Sequence, residues 1–255
     1  MSVVDSAPTM LLRGLRTAAS SWSRIAAGTP HARVLRRPET VIAVFPQGPE
    51  RESYNNAPVV PGLGEATLRA VLDDIERTYA RAGVDRYAVW AQQADAPLVR
   101  ALEARDYRLE ETTLAMGLDL TSADLPAMPP ADLAALSWRQ YREGFLPAGL
   151  LAGVDGRVFR VLLARHRGRA AATALAHDHE GDCGIFNVET EAWARRNGLA
   201  RALTLRLLHD ARDRGLTTAT LQSTPMAEGV YASVGFTRLG RILEYVPPAA
   251  EADED

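Results

Sequence analysis

Apolar residues recur at helical spacing in several stretches of the chain. Leu11, Leu12, Leu15, Ala18, Ala19, Trp22 and Ile25 fall on one face of residues 1–27, and Leu68, Val71, Leu72, Ile75 and Tyr79 on one face of Glu65–Ala82. Both spacings predict amphipathic helices. Shorter helical patterns cover Pro97–Arg105, Ala131–Phe145 with a second helix around Leu150, and Glu228–Val234. Ala202, Leu203, Leu205, Leu207 and Leu208 predict a further helix ending near Gly215. Compact β-branched or alternating runs predict strands at Glu39–Phe45, Tyr87–Ala91, Thr217–Ser223 and Arg238–Val246. Arg108–Leu120 reads as one or two strands, and Val158–His166 with Arg169–His177 as a hairpin turned at Arg167-Gly168. Gln47–Gly64, rich in Pro, Gly and Asn, reads as a loop that brings Tyr54-Asn55-Asn56 to a cleft.

These elements predict an α+β fold with a mixed, mostly antiparallel sheet flanked by helices. The break falls at Thr121–Pro130, with three prolines and no periodicity. It separates residues 1–120 from residues 131–247, each a helix, strand, long helix, strand, short helix and final strand. Residues 248–255 read as an acidic, disordered tail.

Composition narrows the chemistry. The 255 residues include 29 Lys+Arg, 32 Asp+Glu and one cysteine, with a formal net charge of −3. All the basic residues except the five histidines are arginine. Without lysine, a Gly-Lys-(Ser/Thr) phosphate loop, a pyridoxal phosphate Schiff base and a lysine general base are excluded. The lone Cys183 rules out an intrachain disulfide and a cysteine-rich zinc site, and fits a reducing, cytoplasmic setting. No polybasic run points to nucleic acid or an acidic membrane. Arg13, Arg16 and Arg24 cut the apolar run of an export signal, and no run is long enough to span a membrane.

Gly184–Ala211 carries the candidate chemistry. Its first residues are β-rich (Ile185, Phe186, Val188), Glu189–Ala194 break the pattern, and Arg195-Arg196-Asn197-Gly198-Leu199-Ala200 leads into the helix. Such a strand–turn–helix aims backbone N–H groups at an anion on the helix N-terminus. Gly198 removes the Cβ from the approach, and Arg195 and Arg196 add charge.

Arg195-x-x-Gly198-x-Ala200 resembles the pyrophosphate loop of the GNAT superfamily of N-acetyltransferases, (Gln/Arg)-x-x-Gly-x-(Gly/Ala). Val188-x-Thr190 stands where that family's cofactor-binding strand ends. Ala227, Tyr231, Gly235 and Phe236 resemble its closing A-x-x-x-Y-x-x-x-G-F segment. The resemblance covers residues 131–247. It implies acetyl-CoA as acyl donor and an amine acceptor, with no metal. It also implies binding through Val188, Glu189, Thr190, Arg195, Arg196, Asn197, Gly198, Leu199 and Ala200, and Tyr231 beside the departing sulfur. Thr224 stands where the family often has an asparagine touching the cofactor, and it or Ser223 would supply a hydroxyl instead. Leu102 overlays Tyr231 in the first half, and residues 45–70 hold no matching loop. The chain therefore resembles a tandem GNAT protein with a degenerate N-terminal half serving as scaffold and substrate cleft.

Acetyl transfer needs a held thioester, a polarised carbonyl, a deprotonated amine and a stabilised leaving thiolate. The strand to Thr190, with Gly184 and Phe186 as neighbours, would pair with the donor's pantetheine arm, and a main-chain N–H near Val188 would meet the oxyanion. Tyr231, with an ordinary pKa near ~10, would serve the sulfur. The base is open among Glu189, Asp182, Glu191 and water. Trp193 either covers the ligand or caps the core. His177-Asp178-His179 lacks a third ligand and reads as a polar hairpin end. A non-catalytic acyl-CoA-binding module is the alternative function. The acceptor, the acyl length, homodimer formation and ligand binding by the first half stay open.

Overall fold

The computed structural model describes residues 6–47, 54–147 and 149–248. In chain order its first elements are α1 (Ala7–Ala27), β1 (Arg33–Arg36), β2 (Val41–Val44), β3 (Asn56–Pro58), α2 (Glu65–Arg81), β4 (Ala88–Gln92), α3 (Ala96–Glu103) and β5 (Arg108–Asp119). There follow β6 (Asp132–Leu136), α4 (Trp138–Phe145), β7 (Phe159–His166), β8 (Arg169–His179), β9 (Asp182–Thr190), α5 (Leu199–Asp213), β10 (Thr218–Ser223), α6 (Glu228–Ala232) and β11 (Thr237–Val246). The chain forms two compact units, Met1–Ser21 with Leu114–Leu239 and Trp22–Thr113 with Gly240–Asp255. Their divisions fall inside α1, β5 and β11 rather than at 121–130. That proline-rich stretch is neither helix nor strand, but α5 holds it. His209 Nε2 lies 3.0 Å from the Pro126 carbonyl, and Arg212 donates to the Ala123 carbonyl at 2.6 Å.

In the first unit, β10 pairs antiparallel with the end of β5 and parallel with β9, and β9, β8, β7 and β6 follow in antiparallel order. α5 contributes Leu203, Leu205, Leu207 and Leu208 to a core shared with Cys183, Ile185, Ala219 and Tyr231. Successive strand residues point to opposite faces. Cys183 and Ile185 accordingly join that core, while Asp182 and Gly184 meet α1. The Thr17 hydroxyl donates to Asp182 at 2.7 Å, and a Cβ on Gly184 would meet Thr17 and the Phe186 ring.

The second unit has its own core of Ile42, Leu72, Ile75, Tyr79, Val89 and Leu98 beneath β3-β4-β11. β3 runs parallel to β4, β11 antiparallel to it, and β1 with β2 forms a separate antiparallel pair. β1 and β3 lie where no strand is expected. Tyr54, Asn55 and Asn56 are buried rather than lining a cleft. The Asn55 side chain accepts from Phe45 N–H at 2.7 Å and donates to its carbonyl at 3.2 Å, as a backbone amide would. Asn56 accepts from the Trp90 indole at 3.0 Å.

The helix expected over Ala131–Phe145 is a strand followed by a helix. Asp132–Leu136 pairs with Arg165–Val161 of β7, and Ser137 starts α4 with a capping box to Gln140. The pairing with β7 overrides the helix propensity of a Leu/Ala run. Ser137→Ala should destabilise the protein by about 1 kcal/mol in urea unfolding, the usual worth of an N-cap. Around Leu150 the chain turns instead of forming a helix, and a short 3₁₀ turn spans Gly156–Val158. The expected acidic tail lies outside the described residues beyond Pro248. Among the described residues, no helix is long and apolar enough to cross a membrane.

Candidate active site

β9 pairs with β10 only from Asp182 to Ile185 and then runs on to Thr190. Against β8 it carries one extra residue. Thr173 faces Glu189, but Leu175, two residues on, faces Phe186. Asn187 sits in this bulge with φ +48°. A one-residue insertion reverses which side chains face inward. Before it Cys183 and Ile185 enter the core; beyond it Val188 packs against the same core and Glu189 is exposed. The bulge frees main-chain groups at 187–188 from the ladder, at the point where β10 leaves β9.

The turn after β9 is built from backbone chirality. Glu191 N–H bonds to the Ala171 carbonyl at 2.9 Å, and Ala192–Ala194 make a 3₁₀ turn. Arg196 and Gly198 take left-handed φ values of +63° and +74°. Asn197 donates to the Ala194 and Arg195 carbonyls, both at 3.1 Å, and Arg195 Nε reaches the Thr190 carbonyl at 3.3 Å. Asn197 thereby holds the turn from within. Gly198 is the N-cap of α5 and makes no side-chain cap, so the first-turn N–H groups face outward. Nothing lies within 4 Å of a Cβ built on Gly198. Leu199 anchors the turn in the core, and Ala200 is half-buried behind it. An uncapped helix N-terminus flanked by exposed Arg195 and Arg196 suits a diphosphate.

Tyr231 stands on α6, buried among core residues with its ring edge-to-face on Phe236 at 6.1 Å. Burial pushes its pKa up to about 12, so the phenol stays protonated across the physiological range. Thr224 is exposed in the turn before α6, where its carbonyl accepts from the Ser223 hydroxyl at 2.7 Å and the Ala227 N–H at 3.1 Å.

Several other candidates are structural. Asp182 is fully buried at the far end of β9 and accepts from Thr17, Thr218 and Thr220, each at 2.7 Å. At ~3.3 Å per strand residue it lies roughly 25 Å from Thr190, which removes it as the base for this site. Burial pushes the Cys183 thiol well up, so it is no nucleophile. His177 Nδ1 lies 3.0 Å from the Val158 carbonyl and Nε2 3.0 Å from the Ser20 hydroxyl, so Nδ1 carries the proton. Arg214 pairs with Asp178 at 2.8 Å. Among the described residues, no group of three or more His, Cys, Asp and Glu could hold a metal ion. Trp193 is 44% exposed, with the Arg169 guanidinium 4.5 Å above its ring, so it does not cap the core. A groove of about 510 Å³ in the second unit lies between α2 and α3 and contains none of the motif residues.

Two residues here escape a reading of sequence motifs. Asn187 makes the bulge; its signal is an asparagine, the side chain most tolerant of left-handed backbone, inside a strand. Tyr141 of α4 is buried. Burial raises its pKa most, Asn187 lowers it and Glu189 raises it.

The family model described as an acetyltransferase (GNAT) domain matches residues 159–245, from the start of β7 to near the end of β11. The match covers about a third of the chain. A mycothiol acetyltransferase of Thermomonospora curvata is 37% identical over 130 residues, 49% of this chain. That stretch spans only 40% of the relative's length. Among solved structures, a GCN5-related N-acetyltransferase from Kribbella flavida superposes with TM-score 0.68 at 17% identity, over 91% of this chain and 96% of its own. A tandem GNAT protein from the clavulanic acid biosynthesis pathway, solved without AcCoA, gives TM-score 0.59 at 16% identity over 96% of each chain. At these identities the structural likenesses establish the fold. The residues matched by the GNAT model include β9, the Arg195–Ala200 turn and Tyr231.

Proposed function

We propose that the chain is an acetyl-CoA-dependent N-acetyltransferase that passes acetyl directly to a primary amine. One observation carries this reading: the bulge of β9, the uncapped α5 N-terminus and Tyr231 all lie within the residues matched by the GNAT model. The N–H groups of Leu199 and Ala200, with Arg195 and Arg196, bind the donor's pyrophosphate, and Gly198 gives them access. Val188, Glu189 and Thr190 offer main-chain groups to the pantetheine amides. The Val188 N–H donates to the carbonyl oxygen as negative charge gathers there. Nitrogen–carbon bond formation is followed by carbon–sulfur cleavage, and the amine's proton passes to Glu189 or to water.

Tyr231 donates a hydrogen bond to the departing sulfur rather than giving up its proton. A phenol at about 12 is a far weaker acid than a thiol near ~8.5, so full transfer would be uphill by roughly 5 kcal/mol. Tyr231→Phe keeps the ring packed on Phe236 and removes only that donor. Its kcat should fall about 30- to 100-fold, with acetyl-CoA affinity in calorimetry unchanged. Turnover equal to the wild type would remove Tyr231 from the chemistry.

The same reading takes residues 1–120 as a degenerate GNAT-like half and 131–247 as the active one, in a cytoplasmic enzyme. The likeness to a tandem GNAT protein supports this, as does the lack of an Arg-x-x-Gly-x-Gly/Ala turn between residues 45 and 70. The relative's name makes mycothiol-related amines the first acceptors to screen.

A further inference from the structure

We propose that Trp138 and Arg142 of α4 form a site that holds a carboxylate carried by the amine acceptor. That the carboxylate belongs to the acceptor rests on the acetyl-transfer reading above; the carboxylate site itself does not.

Two donors of α4 have nothing to bond. Trp138 Nε1 and Arg142 Nε are both closed off from solvent and have no hydrogen-bond partner among the described residues. They stand four residues apart, so successive turns carry them on one face of the helix. A buried donor without an acceptor is costly and rare, and two on one face point to a ligand that accepts from both. The indole is held in place, stacked on Phe159 of β7 at 5.0 Å and 5.7 Å from the Tyr141 ring. Indole and guanidinium can only donate. Arg142 Nε–H and a neighbouring Nη–H form the planar fork that a carboxylate fits.

α4 covers the face of the sheet on which Glu189 stands. Paired residues of adjacent strands project from the same face, and residues two apart on a strand share it. Phe159 pairs with His177, and Thr173, on the same face of β8, pairs with Glu189. The other face takes Ala172, Ala174 and Ala176 into the core that α5 fills. Trp138, stacked on Phe159, is therefore on the side of Glu189, one candidate for the base. β7 and β9 are two strand spacings apart, roughly 10 Å. An amine at Glu189 and a carboxylate at α4 are then separated by about the length of a tripeptide, not of a single amino acid.

The turn after α4 controls access. Gly156 lies directly against Trp138, where a Cβ would fall 2.0 Å from the tryptophan Cβ and Cγ. Leu151, buried in the same turn, takes a left-handed φ of +56°, which a residue with a Cβ resists. The turn thus closes over two unmet donors in a strained backbone, and it lifts to admit the carboxylate.

Triglycine, whose amine and carboxylate are at most about 10 Å apart, and triglycinamide, which lacks the charge, are the probes. In the nitrogen–proton spectrum, triglycine should shift the Trp138 indole N–H resonance, identified by its loss in Trp138→Phe, and triglycinamide should not. With acetyl-CoA present, kcat/KM should favour triglycine about 10- to 100-fold. Arg142→Met should cut that preference to less than about threefold and leave turnover of the amide unchanged. Arg142→Lys keeps the charge without the fork and should restore only part of it. Because Arg142→Met removes an unpaired buried donor, its Tm should hold or rise by about 2–4 °C. A Tm that falls would mean that Arg142 serves the fold and would overturn the site. So would an indole signal that ignores triglycine, or a wild type that treats acid and amide alike. An indole that answers to triglycine in a protein that acetylates no amine would leave the carboxylate site standing and remove the transferase reading.

Discussion

Gly198→Glu should fold normally and lose acetyl-CoA binding by about 100- to 1,000-fold in calorimetric titration. The site has room for the side chain, since nothing lies within 4 Å of a Cβ there. The backbone resists it. A φ of +74° costs a residue with a Cβ about 1–2 kcal/mol. Part of that is returned, because a carboxylate at a helix N-terminus satisfies first-turn N–H groups and the dipole for about 1 kcal/mol. Stability should therefore change by no more than about 1 kcal/mol. Binding is another matter. On the proposed reading, the new carboxylate occupies the donors that would take the diphosphate, and a like charge ~4 Å away at an effective dielectric of ~20 opposes it by about 4 kcal/mol. Gly198→Ala separates the two terms. It keeps the strain without the charge, and its affinity should fall by less than about tenfold. If the glutamate variant bound acetyl-CoA as tightly as the wild type, the α5 N-terminus would not be the cradle.

The turn into α5 is legible in sequence because its geometry is stored in residue types. Gly198 carries the left-handed N-cap, Asn197 and the arginines surround it, and Leu199 begins an apolar period that only a helix satisfies. α2, α5 and the β7–β8 hairpin were readable for the same reason: each has a one-sided apolar pattern with Gly or charge at its end. What escaped depends on distant partners. Asp132–Leu136 has the composition of a helix and becomes a strand because Val161–Arg165 offers it an edge. Tyr54–Asn56 has the composition of a loop, yet the Asn55 amide completes the backbone pairing of Phe45 within a core. The bulge at Asn187 leaves almost no trace, since the reversal of faces occurs within a short run where apolar and polar residues already alternate. Asp182 looked like a candidate base from its place beside the cofactor strand, and only the fold shows that it lies at the strand's other end.

Asp182 instead has a strong expected effect on stability. Its carboxylate is fully buried and takes hydroxyl donors from α1 (Thr17) and β10 (Thr218 and Thr220), linking three elements of the first unit. Asp182→Ala strands those hydroxyls. Thr17 retains the Arg13 carbonyl at 3.1 Å as an acceptor, so Thr218 and Thr220 bear most of the loss. At about 1–3 kcal/mol for each buried unsatisfied group, less the relief of no longer burying a charge, a net loss of about 2–4 kcal/mol is expected in urea unfolding. Asp182→Asn keeps an acceptor and isolates the charge. Burial raises the Asp182 pKa more than the three hydroxyls and Arg13 lower it. A folded pKa above the unfolded value near ~3.9 means that this group's contribution is fully present below that pH and is lost as pH rises through the folded value. Other carboxylates titrate in the same window, so the informative quantity is the stability difference between wild type and Asp182→Asn at each pH. That difference should favour the wild type most near pH ~4 and shrink toward neutrality. Growth of the wild type's advantage with pH would mean instead that the three threonine hydroxyls outweigh burial and hold the carboxylate ionised.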